Sequence, residues 1–243
     1  MKFAAIIVAA GRGTRFGRPK QLIEVAGRPL VAWSLATFEA MPELEDLVIA
    51  TEPEHLDRLA ELASRYAPRL RASVVPGGAT RQESARLALA AVSASCDAAF
   101  IHDGARPLVR AADIRAGAAL VGPGTGALLA APVVDTIKVV EPGSTTVTQT
   151  LERGRLWAAQ TPQFGTLADL VRAHAAARAE GFEATDDAML LERIGVRVEV
   201  VRASGENFKV TLAGDRELAE TILRERASGD RSAANVAAEA GRS

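Results

Sequence analysis

The residues with the clearest capacity for chemistry lie in one short stretch, Ala9-Ala10-Gly11-Arg12-Gly13-Thr14-Arg15-Phe16-Gly17-Arg18-Pro19-Lys20-Gln21. Glycines here let the backbone approach a ligand closely and turn its N–H groups towards phosphate oxygens. Arg12, Arg15, Arg18 and Lys20 add positive charge to the same loop. That density suits a triphosphate whose charge must be neutralised while one phosphorus is attacked. A solvated basic loop is the bland alternative. The dinucleotide fingerprint G-x-G-x-x-G fails, because Phe16 stands where its third glycine would be. A P-loop fails for want of Gly-Lys-Ser/Thr, and Pro19 opposes a long helix directly after the glycines.

Such a loop needs a rigid frame, and the apolar pattern supplies one. Short apolar runs at 3–9, 47–51, 72–75, 98–102 and 127–132 end at polar residues, glycine or proline, as buried strands do. Between them, 29–40, 53–66, 80–92 and 111–121 read as helices. Pro29 suits a first helical turn, and Thr80 with Glu83 has the spacing of a capping box. Strand alternating with helix predicts an α/β fold, a doubly wound and mainly parallel sheet with ligands at the carboxyl ends of its strands. From about 133 to 159 the rhythm breaks, and a β-branched stretch around Pro142 and Gly143 reads as an extended hairpin arm, either embracing a second subunit or serving as a lid. Helices are expected again near 166–180, 186–194 and 215–226, and strands at 197–201 and 208–211. Residues 228–243 lack a periodic apolar face and are expected to be a disordered tail after a single domain of 1–227.

Composition narrows the function classes. With 243 residues and a net charge of −1, no sequence-wide cationic field draws the chain to nucleic acid or anionic lipid. The single cysteine, Cys96, excludes an intramolecular disulfide framework and a cysteine-built zinc site, and a reducing cytoplasm fits best. No apolar run reaches membrane-spanning length, and residues 1–10 carry no signal-peptide cleavage pattern. Lysine occurs only at Lys2, Lys20, Lys138 and Lys209 among 29 basic residues, so each asks for a reason.

Further segments carry a resemblance. They are Gly77-Gly78 with Arg81 and Ser84, His102-Asp103-Gly104-Ala105-Arg106-Pro107, and Ala131-Pro132-Val133-x-Asp135-Thr136-x-Lys138. Gln160-Thr161-Pro162-Gln163-Phe164, Thr185-Asp186-Asp187 and Asn207-Phe208-Lys209-Val210-Thr211 follow. With the glycine loop, in this order, the chain resembles the 2-C-methyl-D-erythritol 4-phosphate cytidylyltransferases of the non-mevalonate isoprenoid pathway, which have a Rossmann-like nucleotidyltransferase fold. The resemblance implies that CTP and the polyol phosphate give 4-diphosphocytidyl-2-C-methyl-D-erythritol and pyrophosphate, with Mg²⁺ or another divalent cation. A phosphate oxygen attacks the α-phosphorus in line and is already anionic, so cations rather than a general base are the catalytic groups.

By the same resemblance Arg15 and Lys20 are catalytic, while Ala9, Ala10, Gly11, Gly13, Gly78, Arg81, Ser84, Asp103 and Ala105 hold CTP. Gly78 and Ser84 would read the base, and Ala79 stands where many relatives carry Asp. Arg106, Asp135, Thr136, Arg153, Thr161, Thr185 and Lys209 would hold the second substrate. The arm, about 136–159, would make a homodimer and carry Arg153 to the partner's site. No direct metal ligand is assigned, the cation being held mainly by the CTP phosphates. Asp135 also reads as a strand-end turn former. His102 reads as a structural histidine, Cys96 as an inert small residue, Trp33 and Trp157 as packing residues, and Asp186-Asp187 as a helix start. A ribitol 5-phosphate cytidylyltransferase, a noncatalytic nucleotide-binding regulator and a Rossmann dehydrogenase are the alternatives.

Overall fold

The computed structural model describes residues 1–11 and 19–240, with 229–240 described by backbone alone. Strand β1 (Phe3–Ala9) opens the chain. After a single 3-10 turn at Lys20–Leu22 come the short strands β2 (Glu24–Val25) and β3 (Arg28–Pro29), then α1 (Leu30–Glu39), β4 (Leu44–Thr51), α2 (Leu56–Tyr66), β5 (Arg71–Pro76), α3 (Arg81–Leu89), β6 (Ala98–Asp103), α4 (Ala111–Ala118) and β7 (Thr125–Pro132). The arm pairs β8 (Lys138–Val140) with β9 (Val147–Thr150). Strand β10 (Trp157–Thr166), α5 (Leu167–Glu180), α6 (Asp187–Arg193), β11 (Arg197–Arg202) and α7 (Ala213–Ala240) complete it.

Seven strands form one sheet in the order β11-β7-β10-β6-β1-β4-β5. Strand β1 is parallel to β4 and β6, β5 is parallel to β4, and β11 is parallel to β7. Only β10 runs against its neighbours β6 and β7. Helices cover both faces, which is why β1 reads as an unbroken apolar run. On one face Leu35, Phe38, Leu59, Leu62 and Ile114 are buried against the sheet; on the other, Leu89, Leu170, Ala173, Leu190 and Leu191 are. Phe38, Phe100 and Phe164 stack edge-on or tilted at 5.2 and 5.5 Å between centroids, tying α1 to β6 and β10. A smaller cluster of Ile23, Val25, Leu30, Val210 and Leu223 fastens α7 near β2.

The parallel frame and the hairpin arm thus stand as expected. Three readings need correction. Residues 208–211 are not a strand: the Val210 amide makes a single bond to the Ala105 carbonyl at 2.9 Å, anchoring the segment to a loop rather than to a strand. Strand β10 was hidden in the sequence, because Gln160, Thr161, Pro162 and Gln163 have loop-like composition. Its register shifts between Ala159 and Gln163, around the proline that cannot donate to the ladder. Finally, α7 runs to Ala240 instead of ending near Arg226, for alanine-rich sequence favours helix even where no apolar face is present.

Candidate active site

Around β1 the chain switches direction, with β4 laid on one side and β6 on the other, and a crevice opens at the carboxyl ends of the strands there. The resulting cleft holds about 510 Å³. Ala9, Ala10 and Gly11 enter it after β1, Gly77 to Thr80 after β5, and Asp103 to Ala105 after β6. Lys20 and Lys209 line it as well. The glycine pair is required by close approach: a Cβ on Gly77 would run into the Ala10 side chain, and one on Gly78 into Glu83. Ser84 is buried, and its Oγ accepts the Gly78 N–H at 3.0 Å while donating to the Thr80 carbonyl at 2.8 Å. Thr80 Oγ1 in turn accepts the Glu83 N–H at 3.1 Å and caps α3, whose positive end faces the cleft.

A second cleft of about 290 Å³ adjoins the first. Arg106, Gln160, Thr161 and Thr185 line it, and it shares Arg81, Asp103 and Lys209 with the larger one. These shared residues form an ionic wall. Asp103 receives Arg81 Nε at 3.0 Å on Oδ1 and Lys209 Nζ at 3.0 Å on Oδ2, with Arg106 Nε at 3.6 Å. Burial alone would favour the neutral acid, but Arg81, Lys209 and Arg106 outweigh it and hold the Asp103 carboxyl well below its ordinary range. Arg81, Arg106 and Lys209 thus gather around one carboxylate, Asp103, and bring three cations to the edge of the second cleft.

Behind the wall lies a neutral support. Thr161 Oγ1 accepts the Asp103 N–H at 3.0 Å and lies 3.1 Å from His102 Nδ1, while His102 Nε2 lies 3.2 Å from Ser34 Oγ. With its one hydrogen free to point at Nδ1, the threonine fits a neutral imidazole that donates from Nε2. Burial pushes the His102 pKa down to about 4, so it is the structural histidine the sequence implied. Asn207 Nδ2 donates to the Thr161 carbonyl at 2.9 Å, and Arg106 Nη1 to the Asn207 carbonyl at 2.9 Å. Among the described residues, Arg81 Nη2, Arg106 Nε and Gln160 Oε1 are buried without hydrogen-bond partners.

Of the residues singled out from sequence, Ala9, Ala10, Gly11, Lys20, Gly78, Arg81, Ser84, Asp103, Ala105 and Lys209 line the larger cleft, and Arg106, Thr161 and Thr185 the smaller. Gly13 and Arg15 lie outside the described residues, as do Arg12 and Arg18. Asp135, Thr136 and Arg153 do not join either cleft; they stand exposed on the arm, where Arg153 Nη1 donates to the Val134 carbonyl at 2.8 Å. Sequence reasoning missed Gln160, Asn207 and the role of Asp187. Asp186 caps α6 through the Met189 N–H at 3.0 Å, but Asp187 is buried against Arg81 instead. A signal existed for Asn207 and Gln160, since both fall in the resembling segments; nothing in the spacing distinguishes Asp187 from its neighbour. Among the described residues no three His, Cys, Asp or Glu side chains converge as a metal site. Both oxygens of Asp103 are already engaged by cations, which does not fit a metal cage built by the protein.

Glycine-lined approach, cationic wall and adjoining clefts at the carboxyl edge of a Rossmann-like sheet define a nucleotidyltransferase. The description "2-C-methyl-D-erythritol 4-phosphate cytidylyltransferase" matches residues 3–225, and the chain belongs to that family. A protein so named from Halalkalibacterium halodurans is 41% identical over 228 residues, spanning 93% of this chain and 99% of the relative. One from Prochlorococcus marinus is also 41% identical, over 92% of this chain and 99% of its own. The crystal structure of the Thermus thermophilus enzyme of that name superposes with a TM-score of 0.74 at 32% identity, covering 92% of this chain and all of the other. That of a 4-diphosphocytidyl-2C-methyl-D-erythritol synthase from Anaerococcus prevotii gives 0.81 at 26% identity, covering 92% and 96%.

Proposed function

We propose that this chain transfers the cytidylyl group of CTP to 2-C-methyl-D-erythritol 4-phosphate, releasing pyrophosphate. The observation that carries the reading beyond family membership is the pair of clefts meeting at Arg81, Asp103 and Lys209. The larger one takes the nucleotide, with the Gly77–Gly78 loop against the base and Ala10, Gly11 and Lys20 against the triphosphate. The smaller takes the acceptor, whose phosphate meets Lys209 and Arg106 and whose hydroxyls meet Thr161 and Thr185. Held this way, the acceptor phosphate oxygen attacks the α-phosphorus from the shared wall and pyrophosphate leaves towards Lys20. The chain's contribution is positioning of two anions and stabilisation of the charge that builds on the phosphoryl oxygens.

A divalent cation in this reading takes its ligands from the triphosphate and offsets its charge. The arm supports a homodimer: Val134, Val139, Val140, Val147 and Trp157 are exposed apolar residues along it. Arg153 would then serve the partner's acceptor site, together with Asp135 and Thr136. No described helix is long and apolar enough to cross a membrane, and Cys96 is a buried free thiol, both of which accord with work in the cytoplasm. The test is pyrophosphate release from CTP with 2-C-methyl-D-erythritol 4-phosphate and, separately, ribitol 5-phosphate. Preference for the first is expected; preference for ribitol 5-phosphate, or no release with either, would overturn the proposal.

A further inference from the structure

Arg81 is bound to a second carboxylate that the chemistry above does not use. While its Nε meets Asp103, its Nη1 lies 2.8 Å from Asp187 Oδ2. The other oxygen of Asp187 accepts from His174 Nε2 at 3.2 Å, and the side chains of Asp187 and His174 are each only 1% exposed. Burying a charge is costly unless it is paired and hydrogen-bonded, so an array of this kind persists only where the surrounding fold holds it. The three residues come from three helices. Arg81 opens α3, which holds the Gly77–Gly78 loop through Ser84. Asp187 opens α6, directly after the acceptor-cleft residues Thr185 and Asp186. His174 belongs to α5, which packs against both. Gln163 of β10 fixes the start of α6 by donating to Asp186 Oδ2 at 2.9 Å and accepting the Ala188 N–H at 2.7 Å.

The guanidinium is therefore gripped on one side by a strand end and on the other by a helix start. With an ion pair on each side the guanidinium is held where Arg81 lines both clefts. We infer that Asp187, oriented by His174, is a positioning residue that holds Arg81 across the wall between the two clefts, so that one strut governs the binding of both substrates. This rests on the proposed reaction.

Initial rates over a grid of CTP and 2-C-methyl-D-erythritol 4-phosphate test it, for the unaltered enzyme and for Asp187→Asn, His174→Leu and His174→Gln, with Tm and active fraction recorded for each. Asp187→Asn and His174→Leu should raise both KM values about fivefold or more with kcat changed less, whereas His174→Gln, whose amide can still donate, should stay within about twofold of the unaltered enzyme. If Asp187→Asn does not fold, His174→Leu, which keeps the Arg81–Asp187 pair, decides. A purely structural role would lower Tm and active fraction while leaving both KM values unchanged, and that result, or a rise in only one KM, overturns the inference. Calorimetric titration with CTP alone runs beside the rates. An unaltered enzyme that binds CTP without turnover overturns the proposed reaction instead, and the strut then stands or falls on whether His174→Leu weakens that binding about fivefold.

Discussion

At the scale of single residues, charge and burial divide the work. Lys20 and Lys209 are two of the chain's four lysines, and both line the nucleotide cleft, where a compact ammonium suits a phosphate oxygen. Lys20→Ala should lower kcat roughly 100-fold or more by removing a few kcal/mol of transition-state stabilisation. Circular dichroism should be unchanged, because the side chain belongs to no core cluster; an unaffected kcat would remove Lys20 from catalysis. His102 works differently. Its folded pKa near 4 lies below its ordinary 6.5, so between those values the unfolded chain holds a proton that the native protein does not. Stability from this group is complete above about pH 6.5 and falls as the pH drops towards 4, by up to about 3 kcal/mol. Urea titrations at steps across that range should show the decline, and His102→Gln should flatten it. A second decline, from the depressed carboxyl of Asp103, should set in only below its ordinary 3.8 and be lost progressively towards its lower folded value.

At the scale of elements, local signals told the truth where one element sufficed. Thr80 and Glu83 announced the start of α3, and Asp186 the start of α6, because a cap is satisfied within a few residues. Thr80→Ala should cost about 1 kcal/mol in denaturant unfolding. It should also raise the KM for CTP, since the same turn carries the Gly77–Gly78 loop. Gly77→Ala forces a Cβ onto Ala10. Overpacking of that kind costs about 1–3 kcal/mol, and because it separates two cleft walls, the KM for CTP should rise roughly tenfold. Wild-type affinity in Gly77→Ala would mean that the walls move freely. Strand β10 shows the opposite case. Its pairing with β6 and β7 comes from residues dozens of positions away, and its own composition, with Pro162 and buried Gln160, Thr161 and Gln163, reads as loop.

For the whole molecule the arm is the distinctive surface, since its two strands are exposed throughout in the single chain. A second copy packed on it would bury Val139, Val140 and Val147. Light scattering should report a dimer, and Val147→Lys or removal of 137–151 should shift it to monomer. Mixing Lys20→Ala with Arg153→Ala subunits should restore part of the activity lost in each, because half of the mixed sites would then be intact. No recovery would mean that each subunit's site is self-contained.

The sequence by itself determined the alternation of strands and helices up to β7, the loops on which the cleft residues there lie, and most of the residues that face the two clefts. It could do so because period, turn residues and short motifs are properties of neighbouring positions. It also carried the family, through ordered segments along nearly the whole chain. Only the tertiary structure decided that Asp103 is shared by both clefts and that Asp187 leaves the cap position to Asp186 and turns to Arg81. Likewise only the folded chain shows that Thr161 supports Asp103 through its backbone as well as lining the acceptor cleft. Those facts depend on charges brought together from β6, α3, α6 and the segment around Lys209. Their pairing is a consequence of burial, which no spacing along the chain encodes.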